Sequence, residues 1–155
     1  MIIKGSARKQ GAKPLADHLM NATDNERVKV LEIVGTMAKN LFEAFRDFEE
    51  VASGSRSQRP YYHVSISPDR PLTRQQLDRA ISLMEQTFGF SGQPRALVEH
   101  VKGGREHYHV VWQRYDLTHD RMIEYGHNYR RHEQVARQLE KEFGQDEIVI
   151  RAMPI

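Results

Sequence analysis

The stretch LVEHVKGGREHYHVVWQRYD, residues 97–116, decides the fold. Two β-like runs flank Gly103-Gly104, and a two-residue Gly-Gly loop signals a tight hairpin because both of its positions accept positive φ. A loop of that length fixes the register. Lys102 faces Arg105, Val101 faces Glu106, His100 faces His107 and Val98 faces His109. Side chains alternate along a strand and residues directly opposite point the same way, so His100, His107 and His109 share one face. Opposed Cβ atoms lie about 4.5–5.5 Å apart and diagonal ones about 7–8 Å, within reach of a single ion. The other face carries Glu99, Val101, Tyr108, Val110 and Trp112, which form a packing surface, so Trp112 reads as core and Glu99 and Glu106 are not ligands.

Three histidines in a chain without cysteine suit Mn²⁺, Zn²⁺, Ni²⁺ or Co²⁺, whereas Mg²⁺ prefers oxygen ligands. Such an ion acts as a Lewis acid on a phosphoryl group and orients it.

Outward from the hairpin, the periodicity alternates strands with helices. Residues 1–7, 27–34, 61–67, 94–101, 106–115 and 147–151 read as strands. Residues 14–21 form a short helix with Pro14 in its first turn, and Met37, Leu41, Phe45 and Phe48 give an amphipathic helix over 37–52. Thr73 followed by Gln76 opens a third helix as a capping box, with Leu77, Ala80, Met84 and Phe88 on its buried stripe. The last helix, 129–143, places His132, Ala136, Leu139 and Phe143 on one side. The fold class is α+β, a central antiparallel sheet backed by helices.

At 155 residues, 39% hydrophobic and 28% charged, the chain fits one soluble domain that buries a real core. Zero cysteines exclude disulfides and thiolate metal sites. No apolar run reaches about 18 residues and the N-terminus lacks the apolar stretch of a signal peptide, so the expectation is a cytoplasmic protein with no membrane partner. Net charge is only +2, but basic residues cluster. Lys4, Arg8, Lys9 and Lys13 crowd the start with no acid among them, Arg59, Arg70 and Arg74 surround Asp69, and Arg130 and Arg131 sit together near the end. Such patches suit phosphate, or are ordinary solvated surface.

The spacing His100-x₆-His107-x-His109 resembles the third motif of conjugative relaxases and plasmid mobilisation nucleases, members of the HUH endonuclease superfamily named for histidine–hydrophobe–histidine. Here Tyr108 stands as the hydrophobe. The strand His63-Val-Ser-Ile-Ser67 is similar to the family's H-x-x-x-S strand, and it is followed by Pro-Asp, a Leu-Thr helix start and a helix ending Phe-Gly. The opening MIIKGSARKQGAKPLADHL resembles the first strand and nucleophile helix, and Tyr125–Gly144 resembles the closing helix. The resemblance implies a relaxase-like catalytic domain spanning 1–155, expected as the N-terminal part of a longer protein. It implies site- and strand-specific nicking of DNA at an origin of transfer, with the 5′ end retained covalently and a divalent ion, Mn²⁺ or Mg²⁺, on the scissile phosphate. The implied partners are single-stranded DNA and the origin hairpin, with relaxosome accessory proteins and a coupling protein beyond them.

Most relaxases use a tyrosine on the first helix, and this chain has none before Tyr61. Where the family writes tyrosine then leucine stands His18-Leu19, and one relaxase branch uses histidine as nucleophile. A neutral imidazole attacks phosphorus to give a phosphoramidate. His18 is therefore the expected nucleophile. Tyr61, Tyr125 and Tyr129 are rivals, and Asp17 and Glu26 are the sequence neighbours that could orient the ring. His63 and Ser67 either hold a ligand's outer nitrogen or a phosphate, or are partly exposed sheet residues; Tyr61 and Ser65 share their face. His127, Arg130, Arg131 and His132 line the DNA groove or solvate the last helix. Two rival functions use the same residues: a DNA-binding accessory domain that kept the fold and lost the chemistry, and a small His₃ metal hydrolase. A replication initiator or transposase of the same superfamily would share the chemistry but not the role.

Overall fold

The computed structural model describes residues 1–9, 11–55 and 57–147. In chain order they form β1 (Ile2–Arg8), α1 (Ala12–Leu19), β2 (Arg27–Val34), α2 (Leu41–Ala52), β3 (Tyr61–Ser67), α3 (Arg74–Phe88), β4 (Arg95–Lys102), β5 (Arg105–Gln113), β6 (Tyr115–Asp116), β7 (Arg121–Met122) and α4 (Asn128–Phe143). The strand expected over 147–151 lies outside the described residues after Glu147.

The hairpin forms as the glycines dictate. Gly103 and Gly104 take φ values of 59° and 72°, and Lys102↔Arg105, His100↔His107 and Val98↔His109 are partners across β4 and β5. Around it the five-stranded sheet runs β1-β3-β5-β4-β2, each neighbouring pair antiparallel. Among the described residues only β4–β5 is a hairpin within this sheet; the other neighbours are joined by longer excursions that carry the helices.

Those helices cover both faces. Tyr62, Val64 and Ile66 of β3 and Tyr108, Val110 and Trp112 of β5 pack beneath α3 and α4, with Trp112 stacked on Phe90 at 5.3 Å. The opposite parity, Tyr61, Val111, Ala96 and Val98, packs beneath α1 and α2 through Leu15, Leu19, Phe45 and Phe48. Burial of these apolar faces drives the assembly at roughly 25 cal/mol per Å² removed from water.

The capping box at Thr73–Gln76 is present, and Gly89 ends α3 in the left-handed conformation. Helix α2 starts later than its periodicity predicts. Asn40 accepts from the Glu43 amide as its N-cap, and Met37 is left 97% exposed in the preceding turn instead of joining the stripe. The small β6–β7 hairpin has no counterpart in the sequence reading.

Helix α1 has eight residues and so spans about 12 Å. It and α2 shelter only the apolar part of their sheet face. The rest of that face is polar and carries the histidines. No helix among the described residues is long and apolar enough to cross a membrane.

Candidate functional site

Strand register builds the polar half of the face row by row. Ser67 of β3, His107 of β5 and His100 of β4 form one row, since Ile66 pairs Tyr108 and His100 pairs His107. Lys4 of β1, Ser65, His109 and Val98 form the next, and Ser6, His63, Val111 and Ala96 the third. On β1 the odd positions Met1, Ile3 and Ala7 enter the core beneath α3 and α4, which turns Lys4, Ser6 and Arg8 toward the histidines. Gly5 is needed for that placement. A Cβ there would stand 2.8 Å from Val64 Cγ2 and 2.9 Å from His132 Cε1, so α4 seats against bare backbone.

His100, His107 and His109 are each tethered at one ring nitrogen. His107 Nδ1 lies 2.9 Å from Ser67 Oγ, and His109 Nδ1 lies 2.8 Å from His63 Nε2. His100 Nε2 donates to the carbonyl of Leu19 at 2.6 Å, satisfying one of the unpaired carbonyls at the end of α1. His63 Nδ1 accepts from Arg8, at 3.3 Å from Nε and 3.2 Å from Nη2. Ring centroids are 4.4 Å apart for His100–His109 and 5.1 Å for His63–His109. Burial first, and then the Arg8 guanidinium, pushes the His63 imidazole down to about 3, and burial together with its histidine neighbours pushes His109 down to about 3. His107 is lowered as well, chiefly by burial. At neutral pH these three rings are neutral and carry lone pairs.

His18 projects from the last turn of α1 and is exposed, and its ring makes no hydrogen bond among the described residues. It lines a cleft of about 290 Å³ together with Arg8, His63, Ser65, His109 and Lys4. A second cleft of about 250 Å³ adjoins it, and Arg8 and His18 line both, with Lys9 and Leu15 in the second alone. The Leu19–His100 hydrogen bond pins the end of α1 to the sheet and so sets where His18 stands. Asp17 is turned away into an exposed pair with Lys13 at 2.9 Å, and Glu26 accepts from the Gly104 amide, so neither orients His18.

Among the described residues no group of three or more His, Asp or Glu side chains is arranged to share an ion. His107 is turned to Ser67, while His100 and His109 approach each other. The donor set nevertheless fits a divalent cation. The three rings stand on one face in adjoining rows, and each has an outer partner at one nitrogen (Ser67, His63 or the Leu19 carbonyl) with the other nitrogen left over.

Other expected residues stand elsewhere. Arg131 donates to the carbonyls of Thr87 and Gly126 and lies 4.1 Å over the Phe88 ring, on the α3–α4 side of the sheet away from the histidines. Arg130 is exposed on the same helix. The groove-lining and solvated alternatives both fail for His132. It is 3% exposed, bonded to the Tyr62 hydroxyl at 2.9 Å and held down to about 4 by burial, because its stripe on α4 faces the core.

The rival tyrosines differ in the same way. Tyr61 is fully buried with its hydroxyl on Glu49, and burial then that carboxylate raise its pKa far above the ordinary value. Tyr125 packs near Tyr62 with Arg114 over its ring at 4.8 Å, on the face opposite His18. Tyr129 is half exposed at the start of α4. Ser6 and the Arg8–His63 contact were not expected from the sequence. The alternation of β1 could have placed Arg8 on the polar face, but the pairing of β1 with β3 has no local signal.

Two comparisons bear on this geometry. The model of a protein family described as Relaxase: MobA/VirD2-like, nuclease domain, matches residues 18–145. No curated protein matches the chain.

Proposed function

The chain belongs to the relaxase family of MobA/VirD2-like nuclease domains, and from that membership we propose that it nicks one strand of DNA at a plasmid origin of transfer by transesterification, with His18 as nucleophile. The observation that carries this reading is the shared cleft: His18 stands exposed beside His63 and His109, with Lys4 and Arg8 on its wall. The tyrosine that could replace it on that face is buried and bonded to Glu49.

His100, His107 and His109 would hold the divalent ion, Mn²⁺ being the best match to both ligand set and family and Mg²⁺, Zn²⁺, Ni²⁺ or Co²⁺ the alternatives. When bound, the ion supplies Lewis-acid polarisation of a phosphodiester. The chain's own groups do the rest. Lys4 and Arg8 hold the strand by its phosphates, with serine hydroxyls Ser6 and Ser65 between them. The lone pair of the His18 ring attacks phosphorus and the P–O3′ bond breaks. The 3′ oxygen leaves and takes a proton, while the imidazole gives up its own ring proton and keeps the 5′ phosphate as a phosphoramidate. Single-stranded DNA and the origin hairpin are the partners, with relaxosome proteins and a coupling protein acting on the complex.

Incubating the protein and Mn²⁺ with a labelled single-stranded oligonucleotide spanning its origin tests this reading. A labelled band that survives denaturation at the size of the protein plus DNA is expected. Binding without any covalent band would leave an accessory DNA-binding domain instead.

A further inference from the structure

We propose that Arg8 couples DNA binding to metal binding, by holding His109 in a tautomer that withholds its free nitrogen until a phosphodiester takes the guanidinium away. This rests on the metal and DNA reading above and adds a device to it.

A guanidinium has only N–H groups and donates every hydrogen bond it makes. His63 Nδ1, which receives Arg8, therefore carries a lone pair, which leaves Nε2 as the ring nitrogen that can bear a proton. That Nε2–H points at His109 Nδ1 2.8 Å away, so His109 Nδ1 is the acceptor and its own proton sits on Nε2. The assignment follows from the hydrogen-bond network alone. The consequence falls on one ligand of the three. His100 donates from Nε2 to Leu19, which leaves Nδ1 as the nitrogen open to an ion. His107 faces a hydroxyl, which serves either tautomer. His109 is the ring of the three whose hydrogen bonds place a proton on its remaining nitrogen.

Arg8 is suited to leave. It is exposed, it has no carboxylate partner among the described residues, and it borders both clefts that His18 lines. A phosphate oxygen pair accepts a guanidinium in a bidentate, charge-assisted arrangement that is stronger than its contact with a neutral imidazole. Once Arg8 turns to phosphate, His63 is free to carry its proton on Nδ1 and accept at Nε2. His109 then donates from Nδ1 and exposes the Nε2 lone pair. On each ring one proton leaves Nε2 and one is taken from water at Nδ1, so both rings stay neutral and no net proton is exchanged. Linkage makes the effect reciprocal, with DNA tightening the metal and metal tightening the DNA by the same factor.

The test uses Mn²⁺ calorimetry on the whole chain, with and without a single-stranded dT octanucleotide, beside long-range ¹H–¹⁵N spectra of the histidine rings in the metal-free protein. In the wild type both His63 and His109 should appear as Nε2–H tautomers, and the oligonucleotide should move them toward Nδ1–H and tighten Mn²⁺ by about tenfold. R8L, a change at an exposed position, should move the tautomers and tighten Mn²⁺ by itself, and the oligonucleotide should then add nothing. K4Q removes a neighbouring charge without touching His63 and should leave the tautomers as they are. Wild-type Mn²⁺ affinity indifferent to the oligonucleotide, or tautomers unmoved in R8L, overturns the coupling while leaving the metal site standing. No Mn²⁺ binding in either protein overturns the coupling and the metal reading together.

Discussion

His100 and His109 hold their ring centroids 4.4 Å apart although they are not opposite each other in the sheet. His100 is paired with His107 and His109 with Val98, so the contact runs diagonally across β4 and β5. His109 thereby stands between His100 on one side and His63 on the other. It is the centre of the polar face, and the ring whose loss should be felt first.

Metal retention should follow that order. His109→Ala is expected to remove measurable Mn²⁺ binding in calorimetry, and His100→Ala and His107→Ala to do the same or nearly so. Ser67→Ala, which frees only the outer nitrogen of His107, should weaken Mn²⁺ by roughly 10- to 100-fold. An unchanged isotherm for His109→Ala would remove the ion from this face.

Acid should destabilise the metal-free protein, and the sign follows from the buried histidines. Burial holds His63 and His109 down to about 3 and His132 down to about 4, against 6.5 for an unperturbed imidazole. Above pH 6.5 all are neutral in both states, so they impose no pH dependence. Below it the unfolded chain takes up protons that the folded chain refuses, and stability is lost as pH falls toward these depressed values. At pH 5 each group costs about 2 kcal/mol, from 1.4 kcal/mol per pH unit. Urea denaturation at pH 7 and pH 5 measures the loss. His132→Phe, distant from the proposed ligands, should flatten the dependence by about one group's share. A midpoint equal at the two pH values contradicts the assignment.

Gly5 is held by closeness to its neighbours and not by a positive φ, so its replacement tests the seating of β1. Gly5→Ala drives a Cβ to 2.8 Å from Val64 and 2.9 Å from the His132 ring. A loss of about 1–3 kcal/mol is expected from overpacking. Nicking should fall too, because Lys4, Ser6 and Arg8 all ride on this strand. Calorimetric melting and a nicking assay on the same preparation would check both.

The basic residues should separate into those on the DNA path and those off it. Oligonucleotide affinity should fall with salt, and each phosphate contact removed should lower the log–log slope by about 0.7 for a single strand. Lys4→Ala and Lys9→Ala are expected to do so. Lys13→Ala should not, since Lys13 is paired with Asp17, nor should Arg131→Ala, since Arg131 is bound to Thr87 on the other side of the sheet. Equal slopes for all four variants would mean that the strand does not cross this face.

Much of this was legible in the sequence wherever a local rule governs. The Gly103-Gly104 turn admits one register, so the alignment of His100, His107 and His109 on one face could be read before any coordinates. The Thr73–Gln76 capping box and the stripe containing His132 and Leu139 were legible for the same reason. Sheet order was not, because β1 reaches β3 and β2 reaches β4 through excursions whose sequence carries no partner information. Hence the Arg8–His63–His109 chain, which crosses β1, β3 and β5, was invisible. For His132 the sequence leaves groove lining and a solvated helix face as the alternatives, and it is neither, because the stripe it shares with Ala136 and Leu139 faces the core. The start of α2 was misplaced because Met37 fits the helical period while Asn40 supplies the cap.

Peptide mapping of the covalent adduct shows whether His18 carries the DNA. The protein would be reacted with its origin oligonucleotide and Mn²⁺, digested with protease and nuclease at alkaline pH, and the nucleotide-bearing peptide sequenced by mass spectrometry. A mononucleotide is expected on the α1 peptide at His18, lost on mild acid treatment and absent from His18→Ala. A mononucleotide on a peptide carrying Tyr61, Tyr125 or Tyr129, stable to acid and still present in His18→Ala, would contradict it.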